Sequence, residues 1–202
     1  MPCNTAKLYK SVEKCPGKKS LAGIRRRLYM IPKSFIAAWP LLPSLDDQTP
    51  PTEMKDLAIY NGDFTLVEGK YFTFIDLKDE TSNATFETVG EKGSKLLNNK
   101  VNAIITGMPD DVKGFVRQAI DDDIVYVYQQ RDGKFCVLGN EEFECATEPS
   151  GDTGTEATGA TTTTLAINVN DICPVPTYEG KLFLSATEYV DCATGKLETV
   201  SQ

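Results

Sequence analysis

The sequence predicts a mainly β protein, an antiparallel sandwich or barrel with one flanking α-helix and an extended N-terminal arm. Three observations predict it. Short runs of β-branched and aromatic residues recur between turn-forming pairs such as Asn61-Gly62 and Asp132-Gly133. Only one stretch carries an apolar stripe of helical period. The first 33 residues carry nine basic side chains and one acid, a net +8, whereas the remaining 169 carry 12 basic and 28 acidic ones, a net −16. The chain length of 202 residues suits one domain with an ordered arm, and a domain of that size buries roughly 70% of its unfolded surface.

Residues 1–20 lack periodicity and break at Cys15-Pro16-Gly17, which reads as a loose arm. Residues 21–31 favour a strand stopped by Pro32. The apolar stretch 34–42 is interrupted by Pro40 and bounded by Pro43, so no helix longer than a turn is expected there. An acidic, proline-rich connector over 45–51 divides the chain into a basic arm and connector, 1–45, and a β body, 46–202.

Within the body, 57–60 is a short strand closed by Asn61-Gly62. Phe64, Leu66 and the run 71–77 supply β-prone residues on either side of Glu68-Gly69, a hairpin turn by its chemistry. Residues 84–89 alternate, 91–94 break the pattern, and 96–106 resumes it with Val101, Ala103 and Ile105 on one face. Residues 110–121 form the helix. Val112, Phe115, Val116, Ala119 and Ile120 make its apolar stripe, with Asp110 or Asp111 as its cap. Asp121, Asp122 and Asp123 then place three acids at the negative end of the helix dipole. They read either as a solvated turn or as an acidic spot for a basic arm or a cation.

Residues 124–128, Ile-Val-Tyr-Val-Tyr, are the clearest strand, and a turn at 131–134 joins them to 135–138 as a hairpin. The Gly/Thr-rich stretch 147–164 reads as a flexible loop. Leu165, Ile167 and Val169 alternate as a late strand, 173–176 runs extended, and the stretch 181–190 completes about eight strands.

Little in the chain points to catalysis. It contains no histidine, which removes the commonest general base and every Ser-His or Cys-His pair. Nucleotide-loop, HExxH and EF-hand patterns are absent. Asp152-Thr153-Gly154 matches the aspartic-protease triplet but sits in a Gly/Thr stretch, not between apolar strands. The expectation is a protein without enzymatic activity, cofactor or metal. Six cysteines, Cys3, Cys15, Cys136, Cys145, Cys173 and Cys192, form no CxxC pair; free thiols, disulfides and a scattered thiolate site all stay open. No apolar run approaches the roughly 20 residues of a membrane helix, and no secretory signal precedes Pro16-Gly17. No membrane association and synthesis in the cytosol are expected.

The basic segment, with Lys18, Lys19, Arg25, Arg26 and Arg27, suggests contact with an acidic protein surface. A bare solvated strand and a nucleic-acid grip are its alternatives.

The order of elements over 57–190 resembles the tail-tube proteins of long-tailed bacteriophages, relatives of the type VI secretion tube proteins. The features are strands up to Asp76-Leu77, the stretch 84–94, the strand 101–106, the helix 111–120, the hairpin 124–138, and the Gly/Thr loop before 165–169. The resemblance implies a β-barrel with a flanking helix. Such barrels join edge to edge into hexameric rings, which stack into a tube with an acidic lumen. DNA passes through the lumen without specific binding. It implies a homo-oligomer with other tail proteins as partners, located in the virion tail and assembled in the bacterial host cytoplasm. On this reading Lys18, Lys19 and Arg25–Arg27 meet Asp121, Asp122 and Asp123 of a neighbouring subunit. The long segment before Leu57 departs from the simplest members. Two alternatives remain: another phage part, such as a head–tail adaptor or capsid decoration, and a nucleic-acid-binding module using the basic arm.

Overall fold

The computed structural model describes residues 7–17, 19, 21–156 and 159–200; Cys3 and Lys18 lie outside them. In chain order the strands are β1 (Ile24–Pro32), β2 (Ile36–Ala38), β3 (Ile59–Tyr60), β4 (Thr65–Leu66), β5 (Thr73–Asp76), β6 (Asn83–Val89) and β7 (Leu96–Thr106). The helix α1 (Asp110–Ala119) follows, then β8 (Ile124–Gln130), β9 (Phe135–Leu138), β10 (Ala146–Asp152) and β11 (Thr162–Asp171). The last strands are β12 (Thr177–Tyr178), β13 (Lys181–Phe183), β14 (Glu188–Asp191) and β15 (Lys196–Thr199). Among the described residues no helix is long and apolar enough to cross a membrane.

A six-stranded sheet, β3-β12-β9-β8-β1-β5, forms the middle layer. Its central strands β8 and β9 are buried on both faces, which is why they read as unbroken apolar runs and not as an alternation. One face, with Leu28, Met30, Tyr126, Tyr128 and Leu138, packs on a four-stranded sheet, β10-β11-β7-β6, through Val101, Ala103, Leu165 and Ile167. Val112, Phe115, Val116 and Ala119 of α1 close this core from the side. The opposite face, with Tyr29, Ile31, Val125, Val127 and Val137, packs on Leu182 and Val190 of the small sheet β13-β14-β15. Phe64, Phe72 and the flanks of the two-stranded sheet β2-β4 complete that second core. The molecule is a mainly β sandwich with one flanking helix. No sheet closes into a barrel: the end strands β3 and β5 do not meet, nor do β10 and β6.

Several expectations change. The stretch 147–164 is not a loop over most of its length: β10 and β11 pair from Ala146–Asn168 to Asp152–Thr162. Threonine is β-branched and fits a half-buried pleated surface, and Thr147 and Thr163 are buried in step with Leu165 and Ile167. Glu68-Gly69 reverses the chain without making a hairpin, because β4 pairs with β2 while β5 pairs with β1. Strands number fifteen among the described residues, not about eight. The cap of α1 is Pro109 with no side-chain bond; Asp110 and Asp111 occupy the first turn, still favourable to the dipole. The helix ends at Ala119, leaving Ile120 exposed. Residues 173–176 are not uniformly extended, since Val175 adopts φ 44°. Asn99 holds that bend, accepting from the Val175 N–H at 3.2 Å and donating to the Cys173 carbonyl at 3.0 Å.

β1 lies within the segment 1–45 and occupies the interior of the six-stranded sheet, with Leu28 and Ile31 fully buried.

Candidate functional site

β1 runs between two charged concavities of opposite sign. At its start a cleft of about 940 Å³ is lined by Arg25, Arg26, Arg27, Lys78 and Arg131, with Asp76 and Asp79 in its wall. Register builds it. Arg27 faces Asp76 of β5, and the β1–β8 pairing of Ile24 with Gln130 sets Arg131 beside Arg25. Arg26 grips Asp79 through two parallel bonds, Arg27 meets Asp76 at 3.1 Å, and Arg131 approaches Glu80 at 3.6 Å. The guanidinium of Arg27 also lies 3.9 Å from the centre of the Phe74 ring, a cation–π contact. The Arg26 guanidinium, by its bonds and charge, holds the Asp79 carboxyl below the ordinary value. Among the described residues Arg25 and Lys78 make no ion pair. The cleft therefore keeps unneutralised positive charge.

At the other end of β1, a groove of about 490 Å³ is lined by Asp110, Asp111 and Asp122 together with Pro32, Phe35 and Phe115, and no cation lines it. Seven residues of strand separate Arg25 from Pro32, roughly 23 Å at about 3.3 Å per residue. Asp110 is paired with Lys113 at 2.9 Å; Asp111 and Asp122 are exposed and form no ion pair among the described residues.

The residues expected from the sequence divide between these places. Arg25, Arg26 and Arg27 line the cationic cleft. Lys19 is exposed on the leader before β1, and Lys18 lies outside the described residues. Asp121 and Asp122 point outward at the acidic end. Asp123 is half-buried and committed within the chain: it meets Lys33 at 3.2 Å, and its Oδ1 accepts the Cys145 N–H at 2.9 Å. The Lys33 N–H in turn donates to the Asp123 carbonyl at 2.8 Å. Sequence reasoning missed Lys78 and Arg131 in the cleft and Asp110 and Asp111 in the groove as parts of charged surfaces. Arg131 is visible only as a turn residue, and strand register alone brings it to Arg25.

The third feature is the edge strand β6, which pairs only with β7. The opposite edge of that sheet, β10, carries Pro149, which cannot donate to an added strand. β6 has no proline and presents Phe86, 58% exposed, among Thr85, Glu87 and Thr88. Glu87 is drawn sideways to Lys100 at 2.6 Å. Such an edge is a ready template for another strand.

Cys15, Cys136, Cys145, Cys173 and Cys192 are free thiols, and all but Cys15 are buried. Burial pushes Cys136 and Cys173 up to about 12, so they stay protonated and unreactive near neutrality.

No protein-family model, curated protein or solved structure matches this chain.

Proposed function

We propose that this chain is a self-assembling structural protein, the subunit of stacked rings, hexameric by the family resemblance, that form a bacteriophage tail tube conducting DNA. The observation that carries the reading is the placement of a cationic cleft and an acidic groove at opposite ends of β1. Two unlike patches on one subunit make a heterologous, head-to-tail contact, which repeats into stacks without closing on itself. Complementary charge favours the encounter and sets its polarity. The β6 edge supports lateral joining within a ring. An acidic body, with a net charge of −16 over residues 34–202, suits a tube whose wall does not hold DNA.

Concentrated protein imaged by negative stain forms rings or stacks at low salt that dissociate in molar salt. Arg25→Gln with Arg131→Gln neutralises the cleft, and Asp111→Asn with Asp122→Asn neutralises the groove. Each doubly substituted protein fails to stack alone, while their mixture yields a head-to-tail pair through the one intact cleft and the one intact groove. Monomers of the unaltered protein at every salt concentration contradict the proposal.

The same cleft supports a second reading, a nucleic-acid-binding module. That reading requires a salt-sensitive shift of labelled DNA, lost on changing Arg25, Arg26 and Arg27 to Ala, by a protein that stays monomeric.

A further inference from the structure

The cationic cleft draws its charge from three separate elements: Arg25, Arg26 and Arg27 from β1, Lys78 from the segment after β5, and Arg131 from the turn after β8. Backbone bonds fix that frame. The Leu77 N–H donates to the Arg26 carbonyl, and the Lys78 N–H donates to the Ile104 carbonyl at 2.7 Å, which ties Lys78 to both large sheets. Arg131 packs against the bend at Gly23, its Nε 3.6 Å from where a Cβ would stand. Gly23 holds φ 84°, in the left-handed region that favours glycine.

The lining carries five cations and two carboxylates, a surplus of three positive charges. Both carboxylates are committed within the wall, Asp79 to Arg26 and Asp76 to Arg27. Arg25 and Lys78 form no ion pair among the described residues, and Arg131 meets only Glu80, at 3.6 Å. A guanidinium presents a planar fork of donors that matches phosphate oxygens in pairs, and an ammonium adds a point charge on a flexible stem. A phosphate monoester carries about −1.5 to −2 at neutral pH. One such group leaves the surplus unmatched; a chain of two or three phosphates offsets it.

We infer that the cleft binds an oligophosphate through Arg25, Lys78 and Arg131, and that this anion competes with a neighbour's acidic groove for the same surface. The volume of about 940 Å³ lies near the upper end of ligand pockets, about 1,000 Å³, and admits a triphosphate with or without a nucleoside. The acidic groove brings three carboxylates, Asp110, Asp111 and Asp122, so anion and groove offer like charge and exclude each other. The anion site depends on the cleft alone; the competition rests on the head-to-tail stacking proposed above. An oligophosphate then holds subunits apart, and its removal permits stacking.

Isothermal titration of the dilute full chain with tripolyphosphate, at constant ionic strength, gives a saturable heat. Orthophosphate and sulfate bind at least about tenfold more weakly. Arg25→Gln, which alters an exposed residue, and Lys78→Gln each weaken tripolyphosphate by at least about fivefold. Lys92→Gln, an exposed cation outside the cleft, leaves it unchanged. ATP that binds more tightly than tripolyphosphate identifies a nucleotide as the source; ATP that binds no more tightly identifies the bare phosphate chain. No saturable heat, equal binding of sulfate, unchanged affinity in both cleft variants, or labelled single-stranded DNA that binds and is not displaced by tripolyphosphate overturns the inference. Negative stain of the same samples separates the two readings. Dispersal of stacks by tripolyphosphate supports both. Stacks that persist with the anion bound overturn the competition and the cleft's part in stacking, and keep the anion site. Stacks formed by a protein that binds no tripolyphosphate overturn the anion site and leave stacking in place.

Discussion

Tyr126 and Tyr128 stand two residues apart on one face of β8, both fully buried in the same core. Their hydroxyls differ. Tyr126 shares a 2.8 Å bond with the Thr147 hydroxyl, whereas the Tyr128 hydroxyl makes no hydrogen bond of normal geometry and lies near the Gln130 side chain and the Cys136 thiol. Burial pushes both phenols up from their ordinary value, so both are neutral at physiological pH. A buried polar group left unmatched costs about 1–3 kcal/mol. Tyr126→Phe strands the Thr147 hydroxyl and is expected to lower stability by about 1 kcal/mol, a fall in Tm of roughly 2–4 °C for a chain of this size. Tyr128→Phe removes an unpaired hydroxyl and leaves the midpoint unchanged or raised. Thermal melts of the two single variants check the contrast. Nothing in the run Ile-Val-Tyr-Val-Tyr distinguishes the two tyrosines, because the difference is made by a residue of β10. Asp123 is a parallel case: beside Asp121 and Asp122 it reads as one of three equivalent acids, yet only it meets Lys33 and the Cys145 amide.

At the scale of the element, the informative comparison is between the two ends of the four-stranded sheet. β10 is closed to further pairing by Pro149, while β6 is open and carries an exposed phenylalanine. A charged side chain on an edge strand blocks edge-to-edge pairing without altering the fold. Phe86→Lys is expected to abolish ring formation while changing the denaturation midpoint by no more than surface substitutions do, about 0.5 kcal/mol. Sedimentation velocity beside a urea melt separates the two effects, and intact rings from this variant contradict a role for the edge. The elements β7 and α1 were legible because each is long and its period is unambiguous, and β8 and β9 because two unbroken apolar runs flank the turn at Asp132-Gly133. The β10–β11 hairpin was not, since glycine, threonine and alanine without large apolar residues match loop composition. Its strand character comes from pairing with β7 at its side and from the apolar face of the central sheet beneath it. The turn at Glu68-Gly69 has hairpin chemistry, but its flanking strands pair with β2 and β1 and not with each other.

On the whole molecule, three stacked β layers share one central sheet, and charge collects outside them. The titration of the buried Asp171 shows how layer and charge interact. Burial, ahead of all other influences, raises its carboxyl above the ordinary value of 3.8. The folded state therefore holds more protons than the unfolded one between that value and the raised one. Stability from this residue is gained as pH falls through the window and lost as pH rises through it. The exposed, ion-paired Asp79 and Asp110 are shifted down and act in the opposite sense at lower pH. Urea melts at pH 7 and at about pH 4.5, just above the ordinary carboxylate range, are expected to show the unaltered protein gaining on Asp171→Asn toward acid. A gap that is flat or shrinks toward acid contradicts this.

The β class, the α-helix, the central hairpin and the division of charge can all be read from the sequence. Each is written in local periodicity, turn chemistry or composition, which neighbouring residues carry without help from the rest of the chain. Tertiary packing alone leaves the sandwich open, joins Arg131 and Lys78 to Arg25 in one cleft, and buries Asp171 at the end of β11. Those outcomes depend on register between strands tens of residues apart, where one-residue slips exchange the two faces of a strand, and no local pattern records which register is chosen.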